Sequence, residues 1–262
     1  MESIVQSFPA IVLAGERQDE LSTKPGIFTK VLGKPAIERV IETLNKSDCS
    51  DHIYLVGPSP KTDTALRILE NLLSLPTVSY VEPAEGPSKS AKLAFEVIGK
   101  TALLTTGDHA LLTPKIVNDF CEEANKKTSD FIVGLVPYKN VKALYPGSRR
   151  TLLKFHDNIL CGSNLFFLKT QKSKNVLNLW AKIEDNRKAP WKLVMQFGVK
   201  ILLKYLVGRL QSKEAFDYLS DRTNSNIDYI LIDDARAAID VDSPQDLILA
   251  EKILEEKESK NV

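Results

Sequence analysis

The fold is decided by the stretch AIVLAG at residues 10–15, in which five consecutive apolar residues run into a glycine. Such a run, ended by a turn residue, predicts a buried β-strand that leads into a loop. Four similar runs follow, at residues 52–56, 77–81, 101–105 and 130–136. Segments with one apolar helical face separate them, at residues 35–45, 62–74 and 88–98, and Thr113-Pro114 is typical of the start of another helix.

Strands that alternate with helices predict an α/β protein, here a three-layer α/β/α sandwich around a mostly parallel, Rossmann-like sheet. Ligands of such sheets bind beyond the carboxyl ends of the strands. The loops that follow Ala14 and Thr106 are therefore the first places to look for a functional site.

The pattern changes after residue 150. We predict strands at 151–155 and 158–168, two or three helical segments over 173–222, strands at 229–232 and 235–239, and a last helix from Ser243-Pro244 through 254. No linker rich in Gly, Pro or Ser separates the two halves of the chain. We therefore expect a single domain over residues 1–262, with a helical insertion at about 173–222.

Composition excludes several classes of protein. The chain has 35 Lys+Arg and 34 Asp+Glu, so its formal net charge of +1 gives no global field for nucleic acid. Its three cysteines are widely spaced and form no Cys-x-x-Cys motif, which argues against a disulfide framework or a zinc ribbon. We find no signal peptide pattern and no long apolar stretch, and we expect a cytoplasmic location.

Two cations accompany the loop after the first predicted strand. Gly15 would let backbone N–H groups approach a phosphate, and Arg17 and Lys30 would supply positive charge for a triphosphate. The loop is not a Walker A motif, because it lacks G-x-x-x-x-G-K-[ST]. An ordinary turn with two solvated cations would explain the same residues.

Acidic residues mark two further places. Asp108 follows Gly107 at the end of a predicted strand, where a carboxylate is well placed to bind Mg²⁺ or, alternatively, to favour a helix dipole. Asp240 and Asp242 would share one face if they lie on a strand. Alternatively, Asp242 only helps Ser243 to cap the last helix.

Taken together, these segments resemble one superfamily. LAG-x-R at 13–17, Lys30, GKPAI at 33–37, GDHALLTP at 107–114 and IDVDSPQDL at 239–247 are similar, in this order, to motifs of nucleotidyltransferases with the GT-A-like fold. The molybdenum-cofactor guanylyltransferase-like (MobA-like) NTP transferases are the family that the chain resembles most. It departs from the family pattern at Glu16, where many members have a second glycine, and at Ala110, where they have proline.

The resemblance implies roles for individual residues. It implies that Arg17, Lys30 and Asp108 are catalytic, and that Asp108 and Asp242, with Asp240 as a plausible partner, hold Mg²⁺. The implied nucleotide-binding residues are Leu13, Ala14, Gly15, Arg17, Lys30, Gly86, Ser88 and Thr106. Simple helix capping would also account for Gly86 and Ser88.

The acceptor side is less sharply marked. One of the adjacent Arg149 and Arg150 could clamp an acceptor phosphate, although a solvated pair explains them equally well. Gly162 and Asn164 match positions that line the acceptor pocket in the superfamily. Residues 190–210 are apolar with a stripe of Lys and Gln, which favours a mostly buried helix. The alternative is a surface for a membrane, a lipid-like acceptor or a second subunit in a homodimer.

The implied reaction is Mg²⁺-dependent transfer of a nucleoside monophosphate from an NTP, CTP or GTP being favoured, to a small and phosphorylated acceptor, with release of pyrophosphate. Two alternatives from other classes stay open. One is a GT-A glycosyltransferase that uses a nucleotide-sugar, although the D-x-D motif is missing at Asp108. The other is a non-catalytic nucleotide-binding sensor, which Glu16 and Ala110 would permit.

Overall fold

The protein is described by a computed structural model that covers residues 6–15, 25–58, 62–186 and 198–260. Arg17 and Glu16 lie outside the described residues, as do residues 190–197 of the apolar segment. The predictions made for them are therefore not addressed by the structure.

An eight-stranded sheet forms the centre of the described molecule, in the order β10-β7-β9-β6-β1-β4-β5, with β8 paired to β9. A separate hairpin is formed by β2 and β3. The strands are β1 (Phe8–Leu13), β2 (Lys30–Val31), β3 (Lys34–Pro35), β4 (Ser50–Val56), β5 (Val78–Val81), β6 (Ala102–Thr106), β7 (Phe131–Pro137), β8 (Leu152–Lys154), β9 (Ile159–Leu168) and β10 (Ile227–Leu231).

Helices cover both faces of this sheet. Those of the described residues are α1 (Ala36–Asn45), α2 (Asp63–Leu73), α3 (Pro87–Ile98), α4 (Pro114–Lys126), α5 (Tyr138–Leu144), α6 (Ser173–Asp185), α7 (Val199–Leu206), α8 (Ser212–Thr223) and α9 (Pro244–Lys260). The strand pairs β1·β4, β1·β6, β4·β5 and β7·β10 are parallel, whereas β9 runs antiparallel to β6, β7 and β8. The predicted three-layer, mostly parallel α/β fold is confirmed.

The central strand β1 is buried over its whole length. Ala10 and Val12 pack in the hydrophobic cluster on one face of the sheet, and Ile11 and Leu13 pack in the cluster on the other. A parallel strand covered by helices on both faces has no polar side, because neither face meets water. This explains why an uninterrupted apolar run identified it.

Three local predictions were wrong or incomplete. Residues 235–239 were expected to be a strand, but Ala235–Ala238 form a 3₁₀ helix, which begins where the Asp234 carboxylate accepts a hydrogen bond from the Arg236 N–H. The last helix continues to Lys260 instead of ending at 254. Helix α5 and the β2–β3 hairpin were not predicted, because each is too short to give a periodic signal.

The described part of the predicted helical insertion contains α6, α7 and α8. Helix α6 packs on α3, and α7 contacts the β8–β9 hairpin through Tyr205, whose hydroxyl accepts a hydrogen bond from the Lys154 N–H at 3.3 Å. The expectation of a mostly buried helix is wrong for the described part of 190–210, because α7 has no buried residue.

Gly134 has no room for a side chain. An added Cβ would lie 2.5 Å from Ser163 Oγ and 2.9 Å from Ile232 Cδ1. We expect Gly134→Ala to lower the free energy of unfolding by about 1–3 kcal/mol, because overpacking forces neighbouring groups to move. Urea denaturation would measure the loss. Gly162→Ala is the control, since nothing lies within 4 Å of its Cβ position. Equal stability of the two variants would contradict the prediction.

Candidate active site

Several loops meet at the carboxyl edge of the parallel strands. The Gly107 N–H donates to the Leu13 carbonyl at 2.9 Å, and the Ala14 N–H donates to the Val56 carbonyl at 2.9 Å. The Gly57 N–H in turn donates to the Val81 carbonyl at 3.0 Å. The backbone of the first loop is therefore held in contact with the loops after β4 and β6.

Two acidic motifs that are far apart in sequence come together here. The Val241 N–H donates to the Asp108 carbonyl at 3.1 Å, which holds the segment before α9 against the loop after β6. The Thr106 hydroxyl donates to the Asp108 carboxylate at 2.5 Å. The side chain of Asp242 also interacts with the Asp108 carboxyl and lowers its pKa. Asp108 and Asp242, the residues expected to bind metal, are thus neighbours in the fold.

The Asp108 carboxyl is electrostatically strained. Burial raises its pKa above the ordinary value, and the negative charge of Asp240 raises it further. Hydrogen bonds from Thr106 and with Asp242 oppose this effect but do not cancel it. A carboxylate whose charged form is disfavoured by burial and by a neighbouring like charge is one that a bound cation would stabilise.

Asp240 faces other groups than its position in the motif suggested. Its Oδ1 accepts from Arg150 Nη1 at 2.5 Å, and its Oδ2 accepts from Asn164 Nδ2 at 3.2 Å. Arg150 also forms an ion pair with Asp246 through Nη2. Its Nε donates to Ser148 Oγ at 2.9 Å, and Nη1 donates to the Ala238 carbonyl at 3.4 Å. The side chain of Arg150 is only 7% exposed. It is a buried link between the β8–β9 region and α9.

This geometry separates the two adjacent arginines. Arg150 pairs with two carboxylates inside the protein, so of the two arginines considered for an acceptor phosphate it is the one that does not fit this role. Arg149 is exposed and borders a surface cleft of about 640 Å³, which Ser243 and Gln245 also line. Gly162 is exposed, and Asn164 reaches the site through Asp240.

An apolar cluster packs against the two segments that carry Asp108 and Asp242. Val31 of β2 packs with Ala110, Leu111, Ile239 and Val241. Ala110, where the superfamily has proline, is thus a buried part of this cluster. The same contacts bring β2 to the edge of the site, where Lys30, next to Val31, is exposed.

The turn before α3 is already occupied by a side chain. Ser88 donates to Oε2 of Glu184, at 2.5 Å from its hydroxyl and 3.2 Å from its backbone N–H. A Cβ on Gly86 would lie 2.5 Å from Glu184 Oε1. Gly86 and Ser88, two of the residues expected to bind the nucleotide, therefore both lie against a carboxylate of α6.

His109 is buried beside Asp108. Neither ring nitrogen has a hydrogen-bond partner of good geometry in the described residues, and burial lowers its pKa to about 4 despite the nearby Asp240 charge. The ring is held neutral at pH 7, which indicates a structural role.

A pH-dependent stability follows from this burial. Above pH 6.5 the ring is neutral in both folded and unfolded protein; as pH falls towards 4, only the unfolded chain takes up the proton. In EDTA we expect the free energy of unfolding to fall by about 3 kcal/mol more in wild type than in His109→Leu over this range. Urea titrations at several pH values would measure it. Parallel pH profiles for the two proteins would contradict the prediction.

The donor set fits a magnesium ion. No three His, Cys, Asp or Glu side chains of the described residues converge as a complete metal site. Mg²⁺, however, is usually held by one or two carboxylates together with substrate phosphates, because it keeps part of its hydration shell. The adjacent Asp108 and Asp242 have this chemistry.

Comparison with known proteins gives the family. Residues 10–157, more than half of the chain, match the model of the MobA-like NTP transferase domain. The chain belongs to this family. As a MobA-like NTP transferase it is an enzyme, a nucleotidyltransferase, and the resemblance inferred from its motifs is confirmed. A comparison with curated proteins gave no match.

Solved structures share the fold of this MobA-like transferase. A hypothetical transferase from Thermus thermophilus has 24% identity and a TM-score of 0.76, with 92% of this chain and 100% of that chain covered. The 4-diphosphocytidyl-2C-methyl-D-erythritol synthase from Anaerococcus prevotii has 13% identity and a TM-score of 0.55, covering 95% and 96%. CMP:2-keto-3-deoxy-manno-octonic acid synthetase, complexed with CTP, has 10% identity and a TM-score of 0.59, covering 96% and 100%.

Sequence reasoning missed Glu184 of this MobA-like transferase and did not separate Arg150 from Arg149. Glu184 gave no signal, because a lone carboxylate within a predicted helical region is ordinary. Arg150 was noticed, but nothing in the sequence indicated that it is buried whereas its neighbour Arg149 is exposed.

Among the described residues, no helix is long and apolar enough to cross a membrane.

Proposed function

We propose that this enzyme transfers a nucleoside monophosphate from an NTP, with CTP or GTP favoured, to a small phosphorylated acceptor. The observation that carries the proposal is the contact between Asp108 and Asp242, which unites two family motifs at the carboxyl edge of the sheet. An acceptor oxygen attacks the α-phosphorus of the NTP. The bond from that phosphorus to the bridging oxygen breaks, and pyrophosphate leaves.

Asp108 and Asp242 would hold Mg²⁺, and Thr106 fixes the Asp108 carboxylate by its hydrogen bond. A bound Mg²⁺ supplies charge neutralisation for the phosphates. Asp240 is not proposed as a metal ligand, because Arg150 and Asn164 donate hydrogen bonds to both of its carboxylate oxygens. We therefore assign Asp240 to holding the segment that carries Asp242.

The remaining roles concern binding. Backbone groups of Leu13, Ala14 and Gly15 lie beside the Asp108 loop and are suited to the nucleotide, since Gly107 is bonded to Leu13. Among the described residues, Lys30 is proposed to supply positive charge for the triphosphate. Arg17 is proposed for the same role on the family motif alone. Arg149 at its cleft, with Gly162, is proposed for the acceptor. Positioning and electrostatics account for most of the rate in such transfers.

Pyrophosphate release is the experiment that tests this function. The protein is incubated with each of the four NTPs, Mg²⁺ and a panel of phosphorylated metabolites. We expect pyrophosphate to depend on both the NTP and one class of acceptor. Turnover of a nucleotide-sugar in its place would identify a glycosyltransferase. Tight NTP binding without pyrophosphate across the panel would favour the sensor.

We also propose that α7 makes a peripheral membrane contact. Val199, Leu203, Leu206 and Val207 are each more than half exposed and lie on or directly after α7. Exposed Lys200 and Arg209 flank them. An exposed apolar stripe with flanking cations is the pattern of a helix that lies in the interface of an anionic membrane. The second occupant considered is another copy of this chain.

Co-sedimentation with vesicles tests the α7 contact. We expect wild type to sediment with phosphatidylserine-containing vesicles at low salt and Leu203→Glu/Leu206→Glu to lose about 10-fold in bound fraction, because charges enter the apolar face. Val97→Glu, at another exposed apolar residue, is the control. Absence of sedimentation, with a wild-type dimer that the double variant dissociates, would overturn the membrane contact and identify a homodimer interface.

Three further properties are proposed, namely the domain organisation, the cellular location and the absence of a nucleic-acid partner. We propose one catalytic unit over residues 1–262, because two helices of the insertion pack on the rest of the fold. Helix α6 packs on α3, and α8 packs on strand β10 of the central sheet. We propose a cytoplasmic location, which the three unpaired cysteines support. The near-neutral charge supports the absence of a nucleic-acid partner.

A further inference from the structure

Glu184 is held in a defined position at the carboxyl edge of the sheet. Strand β9 runs antiparallel to its neighbours, so α6, which follows it, returns to the edge at which α3 begins. There Glu184 Oε2 accepts from both the backbone N–H and the hydroxyl of Ser88. Lys89 adds a second tie, since its Nζ lies 3.3 Å from Asp185 Oδ1. The end of α6 is thus anchored by two neighbouring contacts.

The two oxygens of this carboxylate differ. Oε2 is satisfied by Ser88, whereas no hydrogen bond from the described part of the chain reaches Oε1. Oε1 lies over the Cα of Gly86, which has a φ of +88° and no side chain to displace it. Glu184 is only partly buried. It therefore presents an oriented acceptor oxygen at the edge where the nucleotide is proposed to bind.

We propose that Glu184 selects the nucleobase of the NTP by accepting a hydrogen bond from an exocyclic amino group. An ionised carboxylate is an acceptor only. Guanine, cytosine and adenine carry an amino group that can donate to it. At the position where cytosine carries its amino group, uracil carries the O4 carbonyl oxygen, which the carboxylate repels. The site consequently favours an amino-bearing base over uracil. This inference rests on the proposed function and adds a specificity residue to it.

Glu184→Gln gives a sharp test because Ser88 fixes the orientation of the amide. The Ser88 N–H requires an acceptor, so the glutamine oxygen stays on Ser88 and its NH₂ group takes the place of Oε1. The direction of hydrogen bonding towards the base is then reversed. The variant should lose affinity for an amino-bearing base and gain affinity for uracil.

The experiment measures Kd for GTP, CTP, ATP and UTP by calorimetry, with wild type, Glu184→Gln and Asp185→Asn. For wild type we expect the best amino-bearing NTP to bind at least about 10-fold tighter than UTP, the effect of a hydrogen bond to a charged group. Glu184→Gln should reduce this ratio about 10-fold or more. Asp185→Asn should keep it, because the amide oxygen can still accept from Lys89 and Glu184 keeps both of its contacts with Ser88.

Three results would overturn the inference. Higher affinity of Glu184→Gln for every NTP would identify the carboxylate as a plug that the nucleotide must displace. An unchanged affinity ratio in Glu184→Gln would assign Glu184 to folding alone. If Glu184→Gln does not fold, Ser88→Ala takes its place, because it removes one of the two anchors of Glu184. An unchanged affinity ratio in Ser88→Ala would then overturn the inference in the same way. If wild type binds no NTP and releases no pyrophosphate, the proposed function itself fails.

Discussion

Asp108→Asn lowers NTP-dependent pyrophosphate release by about 10³-fold, because charge stabilisation at the phosphates is the largest single contribution to such reactions. The asparagine keeps the oxygen that accepts from Thr106 but removes the charge. Pyrophosphate is measured at saturating NTP over a range of Mg²⁺ concentrations. Asp119→Asn, an exposed partner of Lys115 on α4, is the control and should keep full activity.

The stability of Asp108→Asn distinguishes a functional role from a structural one. Since burial and the charge of Asp240 raise the pKa of Asp108, its ionised form is disfavoured in the folded protein. Removal of the charge should leave the free energy of unfolding at pH 7 unchanged or higher. A variant that is both unstable and inactive would assign Asp108 to the fold. A stable variant with more than a tenth of wild-type activity would remove it from the mechanism.

Arg150→Met lowers the free energy of unfolding by about 3–5 kcal/mol, since loss of one partner leaves buried charges uncompensated. Arg150 pairs with Asp240 and Asp246, whose side chains are 25% and 11% exposed. Methionine keeps much of the length and apolar volume of the arginine stem. Urea denaturation at pH 7 measures the loss.

The adjacent Arg149→Met is a matched control. Arg149 is exposed, so we expect its substitution to change the free energy of unfolding by less than about 0.5 kcal/mol. The double variant Arg150→Met/Asp246→Leu should recover part of the loss, because it removes one of the two orphaned carboxylates. No recovery would indicate that lost packing causes the effect. Equal stability of the two single variants would contradict the buried ion pairs.

The strands and helix starts could be predicted because they depend on neighbours in sequence. Thr113 was expected to begin a helix, and its Oγ accepts from the Ile116 N–H at 3.3 Å at the start of α4. Ser243 accepts likewise from the Asp246 N–H at 3.2 Å. Residues 235–239 misled the prediction, since a short run of small apolar residues suits a strand or a 3₁₀ turn equally.

The site was predictable only where a motif carries it. Asp108 and Asp242 were found because their flanking residues match a family pattern, and the fold then placed them side by side. Arg149 and Arg150 carry the same charge at adjacent positions, so no local property distinguishes them. Burial decided between them, and burial depends on α9 and the 3₁₀ helix, which lie far along the chain.

The sequence by itself determined the α/β fold, the nucleotidyltransferase family and the acidic residues proposed for metal, because apolar periodicity and motifs are local. The tertiary structure alone decided which side chains meet. It paired Arg150 with Asp240 and Asp246, exposed the apolar face of α7, and brought Glu184 onto Ser88 at a turn expected to bind the nucleotide. Such pairings depend on chain crossings, here the antiparallel β9 that returns α6 to the site, and nearby residues carry no record of them.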